Sequence, residues 1–463
     1  MPSAITITLK AEDHQLKAVL PFVPVDIKPT HEFDARLVTD GRLSSLCGVK
    51  LWLPIDCHED VRIQVTGSDP ASSPLSRSLD GGIGPPRLVS EIDPEFGFEV
   101  EADALHIRSV STKPGLRVHS ADITINHIGR LRFKQRLGKE AAAEADPSET
   151  FTTISFRLSD LDYGSPHAIP ITDYRGNRKV KVSQFRTLKM RLSNSLVKLE
   201  LHRHWNWHQG KFDRLVAGSF PVLEVKKSHS LRWDQLEEIR MMGRDACLLL
   251  TLAARHLTVV HVMVAATKER RLEEWSYPLN RQRSTTEEEA TGPLIDEGEL
   301  ENYFSSVSVR WSALTDQERD ALRLAVFSIH PFVQSSSEGS FLRMFTALEG
   351  LAKTWFPGPR KFHKKLEALV TAFPPRVFGL WPIVAPSDDG LDAIRNHLAH
   401  GGSMSGPRQE ALSVGTDHLQ VWIERILLAI LAFSHTDSPR DWLSRHVHGQ
   451  RSELPRLRAA VKA

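Results

Sequence analysis

The hydrophobic pattern of this chain changes its period along the sequence, and this change limits the fold more than any other feature. In the first ~225 residues, apolar and polar residues alternate in several short stretches, as they do in strands that bury one face. From Leu314 onward, apolar residues recur at helical spacing. We therefore expect an α+β multidomain protein, with a β-rich N-terminal region followed by an α-helical bundle.

The strand pattern covers short stretches that are separated by turn signals rich in Gly and Pro. Such stretches favour antiparallel sheets, arranged as a sandwich or as an open barrel. They are Ile5–Leu9, Val49–Leu53, Val61–Val65, Phe96–Val100, Ile123–Ile125, Thr152–Leu158 and Val197–Leu201.

Four consecutive regions follow from the pattern and the composition. Ser230–Ala254 has a helical apolar stripe and Leu257–Val264 resembles a buried strand, whereas Asn280–Glu301 is polar, acidic and poor in aromatic residues, as linkers are. We predict a β-rich sensor domain at 1–225, a mixed α/β segment that closes it at 226–280, an acidic linker at 281–310 and a helical domain at 311–463.

The helical region contains several start and stop signals. Thr315 followed by Glu318 is a capping-box pattern, and Asp389 with Asp392 three residues later predicts the start of another helix. That helix should end at Gly401–Gly402. The other predicted helices are Glu338–Trp355, Phe362–Ala372, Gln409–Phe433 and Arg440–Val447.

Composition narrows the class of protein. The formal charge of +2 means that nucleic-acid binding would have to come from a local patch, and three cysteines outside any CxxC pair argue against a cysteine-based zinc cluster. The apolar run Ile426–Phe433 is far shorter than the roughly 20 residues of a membrane span, and the N-terminus has no signal-peptide pattern. We expect a cytoplasmic protein without membrane contacts.

The segment Leu391–Gly402, with the sequence LDAIRNHLAHGG, combines residues that suit RNA cleavage without a metal. His400 is a residue type that can take the proton from a ribose 2′-OH near neutral pH. Arg395 can neutralise charge that develops on phosphate oxygens, and the amide of Asn396 can orient the histidine or a phosphate oxygen. Arg395 and His400 lie about 140° apart around a regular helix. Their convergence requires a long reach by Arg395, a distorted last turn, or a second subunit.

The spacing of Arg395, Asn396 and His400 before a glycine resembles the R-x4-H signature of HEPN domains. The helix Phe341–Ala352, with the sequence FLRMFTALEGLA, is similar to the ALEAL-type helix of the Apea-like HEPN subgroup. The resemblance covers roughly Leu314–His448 and leaves the remainder of the chain unassigned.

The resemblance implies a helical bundle that forms homodimers and cleaves RNA, such as tRNA, without cofactors, leaving 2′,3′-cyclic phosphate ends. It implies that Arg395 stabilises the phosphorane, His400 acts as acid and base, and Asn396 positions them. Glu349 occupies the acidic position of the ALEAL-type helix and would orient Arg395 or His400. His397 lies at a variable position of the motif and receives no role.

Two other clusters leave alternatives open. Arg360, Lys361, Lys364 and Lys365 lie beside Trp355 and Phe356, either as an RNA-binding patch or as a solvated helix start. In the run LHRHWNWH, His202, His204 and His208 would share one strand face, which suits a half-buried strand, an aromatic recognition surface or, least of all, a zinc site.

Three functions remain open at this stage. The first is a defence effector, in which the N-terminal region senses a trigger such as a phage protein and the C-terminal ribonuclease then cuts RNA. The second is a HEPN-like bundle that only dimerises or binds RNA. The third is the toxin half of a toxin–antitoxin pair.

Overall fold

A computed structural model of the chain describes side chains in ten stretches and gives the backbone of further strands. The stretches are residues 147–159, 161, 186–192, 196–201, 221–275, 292–330, 336–375, 378–402, 404–434 and 441–462.

Antiparallel strands dominate the chain before residue 280, and helices dominate it after that point, so the protein is α+β as expected. Most of the strands belong to one large sheet. In this sheet, neighbouring strands follow the order β15-β16-β11-β17-β18-β10-β7-β6-β2-β4-β5-β9-β8, whereas β1-β13-β12 form a separate sheet. These labels denote β1 (Ile5–Leu9), β2 (Thr30–Thr39), β3 (Arg42–Leu43), β4 (Cys47–Trp52), β5 (Arg62–Gly67), β6 (Arg87–Ser90), β7 (Phe98–Asp103), β8 (His106–Thr112), β9 (Ala121–His127), β10 (Arg130–Arg136), β11 (Thr153–Leu158), β12 (Ile169–Thr172), β13 (Arg178–Val182), β14 (Arg186–Leu192), β15 (Ser195–Trp207), β16 (Leu215–Lys226), β17 (Val260–Ala266) and β18 (Arg270–Ser276).

Each of the stretches with a predicted strand pattern overlaps an observed strand, and the period-two pattern of β11 explains why. Ile154, Phe156 and Leu158 are buried on one face of β11, while the residues between them are partly exposed. A helix, α1 (Leu236–Ala254), approaches this face so closely that a Cβ on Gly243 would come within 2.5 Å of the Phe156 ring. Glycine at this position therefore permits the contact between helix and sheet.

The chain divides into two compact units, each discontinuous in sequence. Unit 1 contains residues 1–187, 197–244 and 259–279, and unit 2 contains 188–196, 245–258 and 280–463. The four predicted regions and the choice between sandwich and open barrel stay predictions.

Unit 2 is built around a central helix. This helix, α4 (Ser337–Trp355), contacts α3, α5, α6 and α7, and it buries Phe341, Phe345 and Leu348 completely or almost so. The helices of the unit are α2 (Leu300–Ala313), α3 (Asp316–Ile329), α4, α5 (Phe362–Ala372), α6 (Leu391–Ala399), α7 (Pro407–Ile430), α8 (Trp442–Gly449) and α9 (Leu454–Lys462).

The capping box at the start of α3 is confirmed. The backbone N–H of Glu318 donates to the Thr315 hydroxyl at 3.3 Å, and the Glu318 carboxylate accepts from the backbone N–H of Thr315 at 2.8 Å. The pattern could be predicted because both partners lie within one turn.

The prediction that Asp389 caps α6 was wrong. Gly390 is the N-cap residue, and the Asp389 carboxylate instead accepts from Arg458 at 2.7 Å and from the Ser387 hydroxyl at 2.5 Å. Arg458 is 69 positions further along the chain, so local sequence could not show this competition.

Two helices of unit 2 were missed. α2 begins at Leu300, inside the range predicted as acidic linker, and it buries Tyr303, Phe304 and Trp311. Acidic residues at 297, 299 and 301 gave this range the composition of a linker, although an apolar stripe follows them. The second missed helix is α9 at the end of the chain.

A buried ionic network in unit 2 joins the end of α1 to α7 and to the start of α8. Arg255 donates to both carboxylate oxygens of Glu424, at 2.9 and 2.7 Å, and to Asp441 at 2.5 Å. Arg425 also reaches Asp441, at 3.1 Å. The four side chains are at most 5% exposed, so each charge is compensated by a partner inside the protein.

None of the helices in the described part of the chain is long and apolar enough to span a bilayer.

Candidate functional site

The motif helix α6 begins with backbone hydrogen bonds from an upstream segment. The N–H of Leu391 donates to the carbonyl of Pro382 at 3.0 Å, and the N–H of Asp392 donates to Ile383 at 2.8 Å. These bonds satisfy two of the N–H groups that a helix start leaves without intrahelical partners. The helix is thus fixed in place by the chain before it, with no side-chain cap.

α6 packs tightly against α7 through its N-terminal half. Leu391 and Ile394 are fully buried, and a Cβ on Gly415 of α7 would lie 2.9 Å from Ile394 and 3.2 Å from Leu391. Glycine at 415 allows the two helices to approach, and the C-terminal half of α6 carries the motif residues.

The end of α6 is a Schellman motif, as the Gly-Gly pair predicted. The N–H of Gly402 donates to His397 at 3.0 Å and that of Gly401 donates to Leu398 at 3.1 Å, while Gly401 adopts a φ of 80°. This geometry requires a left-handed residue after the helix, which glycine adopts without strain. His400 is therefore the last residue before the turn, with its position defined by the hydrogen bonds around it.

The ring of His397 packs against this turn. A Cβ on Gly402 would come within 2.3 Å of the His397 ring, so only glycine leaves space for the imidazole. No role was predicted for His397, although its position three residues before the end of the helix can be read from the sequence. Side chains at that position commonly contact the second residue after the helix.

Arg395, Asn396 and Glu349 form a cluster. The Arg395 guanidinium lies 3.1 Å from the Glu349 carboxylate on α4 and donates to the Asn396 amide oxygen at 3.2 Å. The side chains of Arg395 and Glu349 are 37% and 32% exposed, so a ligand in solvent can reach the guanidinium. The structure thus places three of the four predicted catalytic residues together.

His400 stands apart from this cluster. Its side chain is exposed, and within the described residues no hydrogen bond or ion pair joins it to Arg395. The regular helix accounts for this separation, because residues five apart lie about 140° from each other around the axis.

The predicted RNA-binding residues lie at the start of α5. Arg360, Lys361 and Lys364 are exposed and Lys365 is half-buried, and Lys364 pairs with Glu367 at 2.9 Å. Lys361 is the N-cap residue, and the first turn contains no acidic side chain. Free N–H groups and cations at one helix start both favour an anion.

The start of α5 lies beside the turn of α4 that precedes Glu349. The rings of Phe362 and Phe345 are 5.6 Å apart, and Phe345 and Glu349 are four residues apart on α4, on neighbouring turns. The structure therefore brings the basic residues to the same part of α4 as Glu349.

Among the described residues, no group of three His, Cys, Asp or Glu side chains is arranged to hold a metal ion. The side chains of His202, His204 and His208 lie outside the described residues. β15 ends at Trp207, and its backbone pairing with β16 shifts register between Arg203 and Trp205.

Comparison with protein-family models found no match for this chain, and searches of curated proteins and of solved structures found none either.

Proposed function

We propose that this protein is a metal-independent endoribonuclease of the HEPN type, in which Arg395 and His400 act on one phosphodiester. The observation that carries the proposal is the ion pair of 3.1 Å between Glu349 and Arg395, which lies on the same helix that ends at His400 with a Schellman turn. An ion pair to a neighbouring helix orients the guanidinium before any phosphate binds.

The electrostatics of the helix end explain why arginine is needed. The C-terminal end of α6 carries the negative pole of the helix dipole, so by itself it repels a phosphate. The guanidinium of Arg395 supplies positive charge at this end, with planar donors that match two phosphate oxygens. The cationic start of α5 adds further attraction for the RNA backbone.

His400 would take the proton from the ribose 2′-OH. The 2′ oxygen attacks the phosphorus, the bond to the 5′ oxygen breaks, and the leaving oxygen gains a proton from water. The products are a 2′,3′-cyclic phosphate and a 5′-OH. Arg395 would stabilise the charge on the pentacoordinate phosphorus, and Asn396 would hold Arg395 through the contact of 3.2 Å.

Two copies of the chain would complete the site. Arg395 and His400 make no described contact within one chain, so a homodimer that brings two copies of α6 together would place Arg395 of one beside His400 of the other. The bundle of unit 2 is then both the catalytic and the dimerisation domain.

The test is cleavage by purified protein with excess EDTA. Wild-type protein should cut single-stranded or structured RNA, such as tRNA, and leave 2′,3′-cyclic phosphate ends that mass spectrometry detects. His400→Ala should be inactive, whereas His229→Ala, which removes an exposed histidine of unit 1, should cut normally. Equal cleavage by wild type and His400→Ala would contradict the proposal.

The biological role that we propose is defence: the β-rich region senses a trigger such as a phage protein and controls the ribonuclease. In cells, wild type should then arrest growth and degrade RNA after triggering, and His400→Ala should do neither. A toxin–antitoxin role predicts arrest without a trigger, relieved by the product of a neighbouring gene.

One observation favours a second candidate, a non-catalytic module that binds RNA or dimerises. The Arg395 guanidinium is already paired with the Glu349 carboxylate and donates to the Asn396 amide oxygen, as a purely structural arginine would. If the module only binds, Arg395→Ala should leave the biological activity intact.

A further inference from the structure

Unit 2 has a surface that carries both aromatic and basic side chains. We call it the aromatic–basic face, and it consists of Phe378, Trp442, Arg445, His446 and Arg451. Phe378 is 81% exposed and Trp442 is 41% exposed. Large aromatic side chains at such exposure, when they lie together, indicate a binding surface.

One end of the face is a stacked pair on α8. The rings of Trp442 and His446 lie 4.5 Å apart and are nearly parallel, with an angle of 11° between them. The Gln450 amide lies 2.8 Å from the His446 ring nitrogen and helps to fix the orientation of that ring. The pair thus presents a flat surface of fixed orientation.

The other end of the face is a turn that is attached to the end of α8. The Arg451 guanidinium donates to the carbonyl of Phe378 and packs directly against Gly379, whose φ is 73°. Contacts thus link Trp442 to His446 and His446 to Gln450, and the next residue, Arg451, reaches the backbone of Phe378.

The turn is anchored by the residue next to the exposed aromatic ring. Leu380 packs against an apolar cluster of Val421, Leu443 and Val447. The chain is thus held firmly against the helices at Leu380, while Phe378, two residues earlier, remains in solvent. Fixed attachment keeps the ring available for a ligand with little loss of entropy on binding.

The charges of the face select the class of ligand. Arg445 and Arg451 are exposed cations, and the nearby acid Glu453 lies 3.7 Å from Arg456, which also pairs with Glu410 at 2.6 Å. Asp417, which is partly buried, lies 3.8 Å from His446 and is the acid that the face itself contacts. Exposed aromatic rings with cations nearby suit unpaired bases and their phosphates. An apolar protein surface would leave the cations without partners of opposite charge.

We propose that the aromatic–basic face binds single-stranded RNA, with unpaired bases stacked on Phe378 and on the Trp442–His446 pair. The inference rests on the proposed function, because it specifies that the nuclease binds its RNA substrate as a single strand. Duplex RNA buries its base faces, so it cannot use these rings.

The test measures binding separately from cleavage. His400→Ala protein, full length, is titrated with a fluorescent 12-nucleotide single strand of 2′-O-methyl RNA, which has no free 2′-OH and cannot be cut, and with the same sequence as a duplex. We expect the single strand to bind at least tenfold more tightly. An acidic peptide of equal charge serves as a competitor and should not displace the strand.

Substitutions at Phe378 separate stacking from simple apolar contact. In the same background, Phe378→Leu should weaken binding by about 5- to 150-fold, the equivalent of 1–3 kcal/mol per stacked base, and Phe378→Tyr should restore it. Arg445→Ala should lower the salt dependence of binding by about 0.7 in the log–log slope. Leu324→Ala, which removes another exposed apolar side chain, on α3, should change nothing.

The outcomes distinguish this inference from the proposed function. Equal affinity for strand and duplex, unchanged binding by Phe378→Leu, or displacement by the acidic peptide would each overturn the inference, and cleavage by wild-type protein could still stand. Conversely, tight binding of the single strand without any cleavage by wild-type protein would support the inference and contradict the proposed nuclease activity.

Discussion

The guanidinium of Arg395 on α6 lies 3.1 Å from the carboxylate of Glu349 on α4, which ties the motif helix to the central helix of unit 2. The two residues are separated by 46 positions in sequence, yet both belong to the resemblance that the sequence suggested. In the proposed mechanism, this contact orients Arg395 toward the phosphate.

Glu349→Gln should therefore reduce RNA cleavage much more than it reduces stability. The pair is about one-third exposed, so its loss should lower the free energy of unfolding by less than about 1 kcal/mol. Cleavage rate and urea unfolding are measured on the same preparation. Glu410→Gln, which breaks an exposed pair with Arg456, is the matched control and should cut normally. A Glu349→Gln protein as active as wild type would show that the pair is only structural.

The contact between His397 and Gly402 predicts a specific coupling. Gly402→Ala should destabilise the protein because its new Cβ would collide with the His397 ring. His397→Ala should remove that collision, so the double variant should lose less than the sum of the two single losses, by about 0.5–3 kcal/mol. Urea unfolding of all four proteins gives the coupling energy, and strictly additive losses would contradict the contact.

Much of this region could be predicted from the sequence, because the contacts involved are local. The other contacts could not be predicted, because their partners are distant in sequence. The capping box of Thr315 and the glycine turn after His400 depend on neighbours within six residues, and both are confirmed. Arg395 and Glu349 stand together as the resemblance implied. In contrast, Asp389 takes a partner on α9, and no local pattern could show that choice.

The buried ionic network of Arg255 could not be predicted from the sequence for the same reason. Arg255 lies 169 positions from Glu424 and 186 from Asp441, so its hydrogen bonds exist only in the folded chain. Arg255 also adopts a left-handed φ of 54°, which for a residue other than glycine costs about 1–2 kcal/mol. Its bonds to two carboxylates offset this cost, and sequence alone predicts neither the strain nor its compensation.

Glu424→Gln should consequently be severely destabilising. It removes one of two carboxylates that neutralise Arg255 and Arg425 in a site without solvent access. The free energy of unfolding should fall by about 3–5 kcal/mol. Asp316→Asn, which breaks an exposed pair with Arg319, is the control and should hardly change the urea midpoint. Equal midpoints for both variants would mean that the buried pair contributes nothing.

The raised pKa of Asp417 predicts that the stability of the protein depends on pH. Burial raises the pKa of Asp417 to about 6, while the neighbouring His446 acts in the opposite direction. An aspartate of the unfolded chain titrates near pH 4, so the folded state holds the proton more tightly and the carboxylate destabilises the fold above about pH 6. Asp417→Asn should therefore increase the free energy of unfolding at pH 7 but hardly at pH 4. The same gain at both values would contradict the assigned shift.

In the proposed mechanism, Arg395 and His400 act on one phosphodiester and come from two copies of the chain. The decisive measurement is the cleavage rate of a heterodimer that pairs an Arg395→Ala chain with a His400→Ala chain, isolated through two different affinity tags. Each variant alone should cut RNA at least 100-fold more slowly than wild type, as expected for the loss of an acid–base or charge-stabilising group. The heterodimer retains one intact pair and should recover about half the wild-type rate. A heterodimer as slow as its parents, or a single variant as fast as wild type, would contradict the claim.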